Sequence, residues 1–158
     1  ETGTSTPAIA IGTYLPKSRA VITAARDLLP KEVLIGFTNG SYSAASLSHE
    51  GKGVAVYGFA DEAVLPKLPS PALVSGSDLK LGQTVLAVGA DGFASTGIVA
   101  RVSPKGVHTT LPDIGLGSAA VDLSGNLIGI SGGAATGLLI GTETITMLLN
   151  ATSTVAAN

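Results

Sequence analysis

The stretch Val33-Leu-Ile-Gly-Phe-Thr-Asn-Gly-Ser-Tyr-Ser-Ala-Ala45 decides the fold class of this chain. Asn39-Gly40 stands between two short runs whose residues are typical of strands. Because Asn and Gly both tolerate the positive φ angles of a tight two-residue turn, the stretch predicts a β-hairpin. A second hairpin is predicted where Ser124-Gly125-Asn126 separates residues 119–122 from 127–130.

The same pattern continues along the chain, where short apolar runs alternate with turn residues drawn largely from its 21 glycines and 8 prolines. Such spacing is typical of an all-β barrel or sandwich. Residues 26–29 predict a single helical turn, residues 63–75 a long surface loop, and residues 142–149 a short C-terminal helix with apolar side chains at i, i+3 and i+4. The predicted strands are 8–14, 20–23, 32–37, 41–46, 54–59, 84–88, 95–102, 106–110, 119–122, 127–131 and 136–141.

Composition excludes several classes of function. Of the 158 residues 45% are hydrophobic and only 13% are charged, so the chain is not intrinsically disordered. A net charge of −2 and few aromatic residues argue against nucleic-acid binding, which depends on Lys and Arg and on base stacking. The absence of cysteine excludes disulfides, thiol catalysis and cysteine-based zinc sites, and two histidines offer little for another metal site. No metal and no cofactor are therefore predicted.

The length fits one domain. Residues 1–3 resemble a leader left by a secretion expression vector, residues 4–149 form the expected domain, and residues 150–158 are expected to be a polar tail. No apolar run approaches the roughly 18 residues of a transmembrane helix. We expect an extracytoplasmic protein, whether periplasmic, at the cell surface or secreted, with any membrane anchor lying outside these residues.

Seven segments resemble the trypsin-like serine proteases, most closely the HtrA/Deg branch, and they occur in the order of that family. The first, Ala20-Val-Ile-Thr-Ala-Ala-Arg26-Asp-Leu-Leu29, resembles the strand and helical turn that carry the catalytic histidine. The resemblance implies two packed six-stranded β-barrels with a short C-terminal helix. The other six segments are 31–47, 53–57, 79–89, 96–100, 121–130 and 137–149.

The three catalytic positions of that family are all substituted in this chain. The position of the histidine falls on Arg26, which cannot accept a proton at a useful pH. The aspartate position falls on Gly53 and the nucleophile position on Leu116, neither of which has the necessary functional group. The resemblance therefore implies a protease fold without protease chemistry, a pseudoprotease.

Two serines keep an enzymatic alternative open. Gly129-Ile-Ser131-Gly132-Gly133 matches the nucleophile pattern of the family literally, and Ser118 follows Gly115-Leu-Gly. Either serine would need a base in a position that the resemblance does not supply. The other interpretation is that Ser131, Gly132 and Gly133 form the strand edge that lines the substrate pocket in active relatives.

The sequence thus predicts a catalytically inactive domain that binds a protein or peptide partner, with a candidate cleft at Arg26, Leu116, Ser131, Gly132 and Gly133. An extended peptide could enter such a cleft by strand addition. Two alternatives remain: an active serine hydrolase whose nucleophile is Ser131 or Ser118, and a purely structural domain of an envelope or surface complex.

Overall fold

The computed structural model describes residues 10–25, 29–89, 92 and 94–155, with only the backbone of residues 152–155. The described residues form an all-β structure with one α-helix at the C-terminal end. The elements are β1 Gly12–Leu15, β2 Ala20–Ala24, β3 Glu32–Gly36, β4 Tyr42–Gly51, β5 Val54–Gly58, β6 Thr84–Val88, β7 Ala94–Ser103, β8 Gly106–Thr109, β9 Ala119–Val121, β10 Leu127–Ser131, β11 Leu138–Gly141 and α1 Thr142–Val155.

The first five strands form one curled antiparallel sheet in the order β1-β2-β5-β4-β3. The predicted hairpin at Asn39-Gly40 is confirmed, because Gly40 has a φ of +83° and its N–H donates to the carbonyl oxygen of Phe37. In the described residues this sheet has five strands, with β1 and β3 as its edges, and it curls into a half-barrel, which is consistent with the first of the two expected barrels.

The last six strands close into a barrel in the order β10-β11-β8-β7-β6-β9. Every neighbouring pair in it is antiparallel. This barrel matches the six-stranded barrel expected from the sequence, and β6 and β10 have the predicted bounds.

Three apolar clusters hold the two sheets and the helix together. One fills the closed barrel around Val85, Val99 and Ile128. A second joins the two sheets and α1, with Ile22 on the first sheet, Ile130 on the barrel and Ile145 on the helix, all of them fully buried. The third lies inside the curled sheet. The second cluster fixes how the two sheets and the helix pack together.

Several predicted bounds are corrected. Strand β4 extends to Gly51 rather than ending at residue 46, because a bulge between Leu47 and His49 lets this polar segment keep pairing with β5. Strand β11 begins at Leu138 rather than residue 136. Helix α1 continues beyond residue 149 to Val155, since residues 150–155 contain no Gly or Pro to end it. Strand β1 spans Gly12–Leu15, and residues 8 and 9 of the predicted strand 8–14 lie outside the described residues.

The connection between the two sheets is long and is held at both ends by polar side chains. At its start Arg19 Nη2 donates to the carbonyl oxygens of Ala60 and Ala63, at 2.7 and 3.1 Å. Near its end Glu143 of α1 accepts from the N–H of Gly76 and from the hydroxyl of Ser75. The predicted loop at residues 63–75 contains one isolated bridge, at Leu73, and no strand. In the described part of the chain, no helix has both the length and the hydropathy needed to span a membrane.

Candidate functional site

The two sheets meet where β1 and β2 approach the loop before β9. Thr23, at 6% exposure, donates its hydroxyl to the carbonyl oxygen of Ile11 at 2.5 Å. The backbone of Gly117 passes so close that a Cβ there would lie 2.1 Å from the same Ile11 oxygen. Gly117 also has a φ of +79°, which favours glycine for a second reason. This glycine allows the loop from the barrel to contact the first sheet.

The loop that carries Leu116 is bonded to the end of β10. The N–H of Gly117 donates to the carbonyl oxygen of Ser131 at 2.8 Å, and the N–H of Ser131 donates to the carbonyl oxygen of Ser118 at 2.9 Å. Leu116 is half-buried beside this ladder. Leu116 thus immediately precedes Gly117, whose main chain bonds directly to Ser131.

A pocket of about 210 Å³ lies between residues 111–114, in the loop before β9, and the segment from Ser131 to Leu139. Ser131 and Gly133 of the predicted cleft line it. Leu116 and Gly132 are close in sequence to lining residues but are not among them. Arg26 belongs to residues 26–28 and lies outside the described residues, as does most of the helical turn predicted at 26–29. The lining residues are Leu111, Pro112, Asp113, Ile114, Ser131, Gly133, Ala135, Thr136, Gly137, Leu138 and Leu139.

The pocket wall at residues 111–114 is a part of the site that the sequence analysis missed. These residues directly precede Leu116, so their position in the chain was the available signal. Asp113 is the charged residue in the lining, and its Oδ1 accepts from the N–H of Gly115 at 3.0 Å. No lysine, arginine or histidine is among the lining residues of the described pocket. Its electrostatic character is therefore negative.

Gly53 and Gly132 both face the side chain of Ile140. Gly53 lies in the turn between β4 and β5 with a φ of +81°, and its carbonyl oxygen accepts from the N–H of Ala25 at 2.8 Å. A Cβ on Gly53 would lie 3.4 Å from Ile140 Cδ1, and one on Gly132 would lie 2.8 Å from the same atom. The position matched to the catalytic aspartate thus lies against an apolar side chain.

The two candidate serines differ in their surroundings. Ser118 is completely buried, and its hydroxyl donates to the carbonyl oxygen of Ile114 at 2.6 Å. Ser131 is 7% exposed and lines the pocket. His108 lies on β8, where its Nε2 is 3.1 Å from Arg101 Nη2 and 3.2 Å from Ser103 Oγ. The imidazole of His108 thus contacts side chains of the neighbouring strand β7.

The two described carboxylates whose pKa is shifted, those of Asp122 and Glu143, accept hydrogen bonds that stabilise the fold. Burial alone would raise the pKa of Asp122, but hydrogen bonds from Asn126, Ser124 and Gly125 outweigh that effect and lower it. Its two oxygens accept from the N–H of Ser124, the N–H of Asn126 and the Asn126 side chain at 2.8–3.0 Å. Among the residues that the structure describes, no three His, Cys, Asp or Glu side chains form a group that could hold a metal ion.

The closed barrel and the curled five-stranded sheet, packed together and followed by a short helix, are compatible with a trypsin-like fold. Comparison of the chain with protein-family models and with curated proteins finds no match.

Proposed function

We propose that this domain is a degenerate, HtrA-like member of the trypsin-like family that binds peptide segments without cleaving them, outside the cytoplasm. The observation that carries the proposal is the pocket between residues 111–114 and 131–139, whose lining includes Ser131 and Gly133, two of the residues that the resemblance assigns to the substrate edge. The pocket is present while the position matched to the nucleophile is Leu116.

The lack of catalysis is supported by the hydrogen bond of Ser118 and by the residue type at the sequence position of the base. A serine nucleophile needs a base within hydrogen-bond reach to remove its proton. The hydroxyl of Ser118 donates instead to the Ile114 carbonyl oxygen, which cannot remove the proton in its place. The sequence position of the base carries Arg26, a permanent cation.

The chemistry of the pocket indicates which peptides it favours. Its lining includes the apolar residues Leu111, Ile114, Leu138 and Leu139 as well as polar groups, and its charge comes from Asp113. A side chain with an aliphatic stem and a positive end, such as lysine, complements both features. An acidic side chain would meet the Asp113 carboxylate and is expected to bind more weakly.

Titration with the probe N-acetyl-Ala-Ala-Lys-amide tests this proposal, with the same peptide ending in Glu as the comparison. Amide signals of pocket residues should shift with the Lys peptide and shift less with the Glu peptide. Ala135→Phe should abolish the effect, because Ala135 is an exposed lining residue whose enlargement fills the pocket. Ala134→Phe is the matched control, since this exposed neighbour is outside the lining and should leave binding unchanged.

Asp113→Asn tests the assigned charge. The substituted amide oxygen can still accept from Gly115, so the loop should keep its conformation. Loss of an exposed charge partner corresponds to about 0.2–1 kcal/mol, or a decrease in Lys-peptide affinity of up to about fivefold. Equal binding of both peptides by the wild-type protein, or unchanged binding by Ala135→Phe, would contradict the proposal.

A further inference from the structure

The two sheets of this protein differ in how they end. The barrel of β6–β11 closes on itself, whereas the sheet of β1–β5 has two edge strands, β1 and β3. Within the described ranges, β3 pairs only with β4, and β1 only with β2. An edge strand presents main-chain donors and acceptors to which another strand can bond.

The hydrogen-bond pattern shows which groups of β3 face this edge. The N–H of Phe37 donates to the Ser41 oxygen, and the N–H of Leu47 donates to the Lys31 oxygen, which fixes the register of the hairpin. Because main-chain groups alternate between the two sides of a strand, those of residues 31, 33, 35 and 37 face β4. Those of 32, 34 and 36 therefore face the open edge.

The interior of the curled sheet is less completely covered than that of the closed barrel. Among the residues that the structure describes, the barrel core contains ten buried apolar residues with one half-buried residue against it, whereas the curled sheet has five buried residues with nine half-buried ones. Val33, Ile35 and Phe37 on the β3 side and Tyr14 on the β1 side are among the half-buried ones. A further strand beside β3 would cover this incomplete side.

Three aromatic rings lie at the opening between the two edge strands. Tyr14 on β1 and Phe37 just after β3 approach edge to face, with ring centroids 5.3 Å apart, and Phe59 lies 6.0 and 5.9 Å from them. The chain contains only three Tyr and three Phe residues, so half of its aromatic residues lie here. Within the described structure, the two edge strands are thus in contact through these aromatic side chains and not through main-chain hydrogen bonds. The rings form an apolar surface between the two edges.

We propose that the open edge of β3 binds an extended segment of a partner protein by strand addition. The segment carries apolar β-branched residues at alternate positions, which face the half-buried interior, while its main chain bonds to residues 32, 34 and 36. No proline can occupy its pairing positions, because each must supply an N–H or a carbonyl in a strand conformation. Glu32 at the start of β3 favours a basic residue at the end of the segment that lies beside it.

Hydrogen exchange of the wild-type protein with a synthetic probe tests this inference. The probe is N-acetyl-Lys-Thr-Val-Thr-Val-Thr-Val-Lys-amide, and its control is the same peptide with N-methyl groups on alternate residues, which removes donors along one side. At saturation the probe should slow exchange of the Leu34 and Gly36 amides at least tenfold, and the methylated control should not.

A matched pair of variants tests the site of binding. Leu34→Pro removes one outward-facing N–H and leaves the bonds to β4 intact, whereas Leu34→Ala keeps that N–H; Leu34 is 71% exposed, so neither disturbs the core. Only Leu34→Pro should lose probe binding. The proposal is overturned if both peptides bind equally or if neither protects these amides. It is also overturned if the amides are already protected in the monomer without peptide. Protection without peptide that rises with protein concentration would overturn it too, because it would indicate pairing with a second copy of the chain.

Discussion

Glu143 joins the start of α1 to the connection between the two sheets, and its removal should destabilise the fold. Its carboxylate accepts from the buried N–H of Gly76 and from the Ser75 hydroxyl, while Thr142 donates to the Val74 oxygen. A hydrogen bond to a charged acceptor contributes about 1.5–3 kcal/mol, and the exposure of Glu143 to water reduces this value. We expect Glu143→Gln to lower the free energy of unfolding by about 1 kcal/mol, and Glu143→Ala, which leaves the Gly76 N–H unpaired, by about 2 kcal/mol.

The effect should depend on pH in a defined direction. Burial would raise the pKa of Glu143, but hydrogen bonds from Gly76 and Ser75 outweigh burial and lower it below the ordinary value of 4.5. A lowered pKa in the folded state adds stability above the pKa of the unfolded state, and this stability is lost as the pH falls through the folded-state pKa. The gap between wild type and Glu143→Gln should therefore be full at pH 7 and should close below pH 4.5.

Urea denaturation of both proteins at several pH values between 3 and 7 measures this gap. Glu62→Gln, at an exposed position in the same connection, serves as the control and should stay within about 0.5 kcal/mol of wild type. A gap for Glu143→Gln that is absent at pH 7, or that is the same at pH 3 and pH 7, would refute the contribution assigned to the ionised carboxylate.

Three further substitutions test other parts of the structure. Asp122→Ala should lower the free energy of unfolding by about 1–3 kcal/mol in urea denaturation, because the turn N–H groups and the Asn126 amide lose their acceptor; no loss would contradict that role. Gly117→Ala should reduce the thermal midpoint of unfolding much more than Gly125→Ala, because both glycines have a positive φ but only a Cβ at residue 117 would collide with backbone atoms. Equal shifts would show that the close approach of Gly117 to Ile11 is unimportant. Leu116→Ser should form no fluorophosphonate adduct at residue 116 detectable by mass spectrometry, because a hydroxyl without a base is a weak nucleophile; rapid labelling there would reveal an unrecognised base.

The strands bounded by strong turn residues could be predicted from the sequence. β10 has its predicted bounds because an Asp-Leu-Ser-Gly-Asn turn precedes its apolar run and glycines follow it. β6 is bounded in the same way, by Gly82 before it and Gly89 after it. In both strands local conformational preference and burial favour the same structure, so no tertiary information was needed.

The errors arise where tertiary contacts decide. The polar segment Ser48-His49-Glu50 continues β4 because a bulge keeps it paired with β5, and composition alone does not reveal a bulge. For the candidate site, residues 131–133 were predicted through the resemblance, and two of them, Ser131 and Gly133, line the pocket. The facing wall at 111–114 could not be predicted, because it depends on how the loop before β9 packs against β10.

We have proposed that the pocket between residues 111–114 and 131–139 binds a peptide and leaves it intact. One titration of the wild-type protein with N-acetyl-Ala-Ala-Lys-amide, followed by nuclear magnetic resonance, measures both properties in the same sample. We predict saturable shifts of the Ser131, Gly133 and Gly137 amides while the peptide signals show no hydrolysis. Absence of these shifts at millimolar peptide, or release of a cleavage product, would contradict the claim.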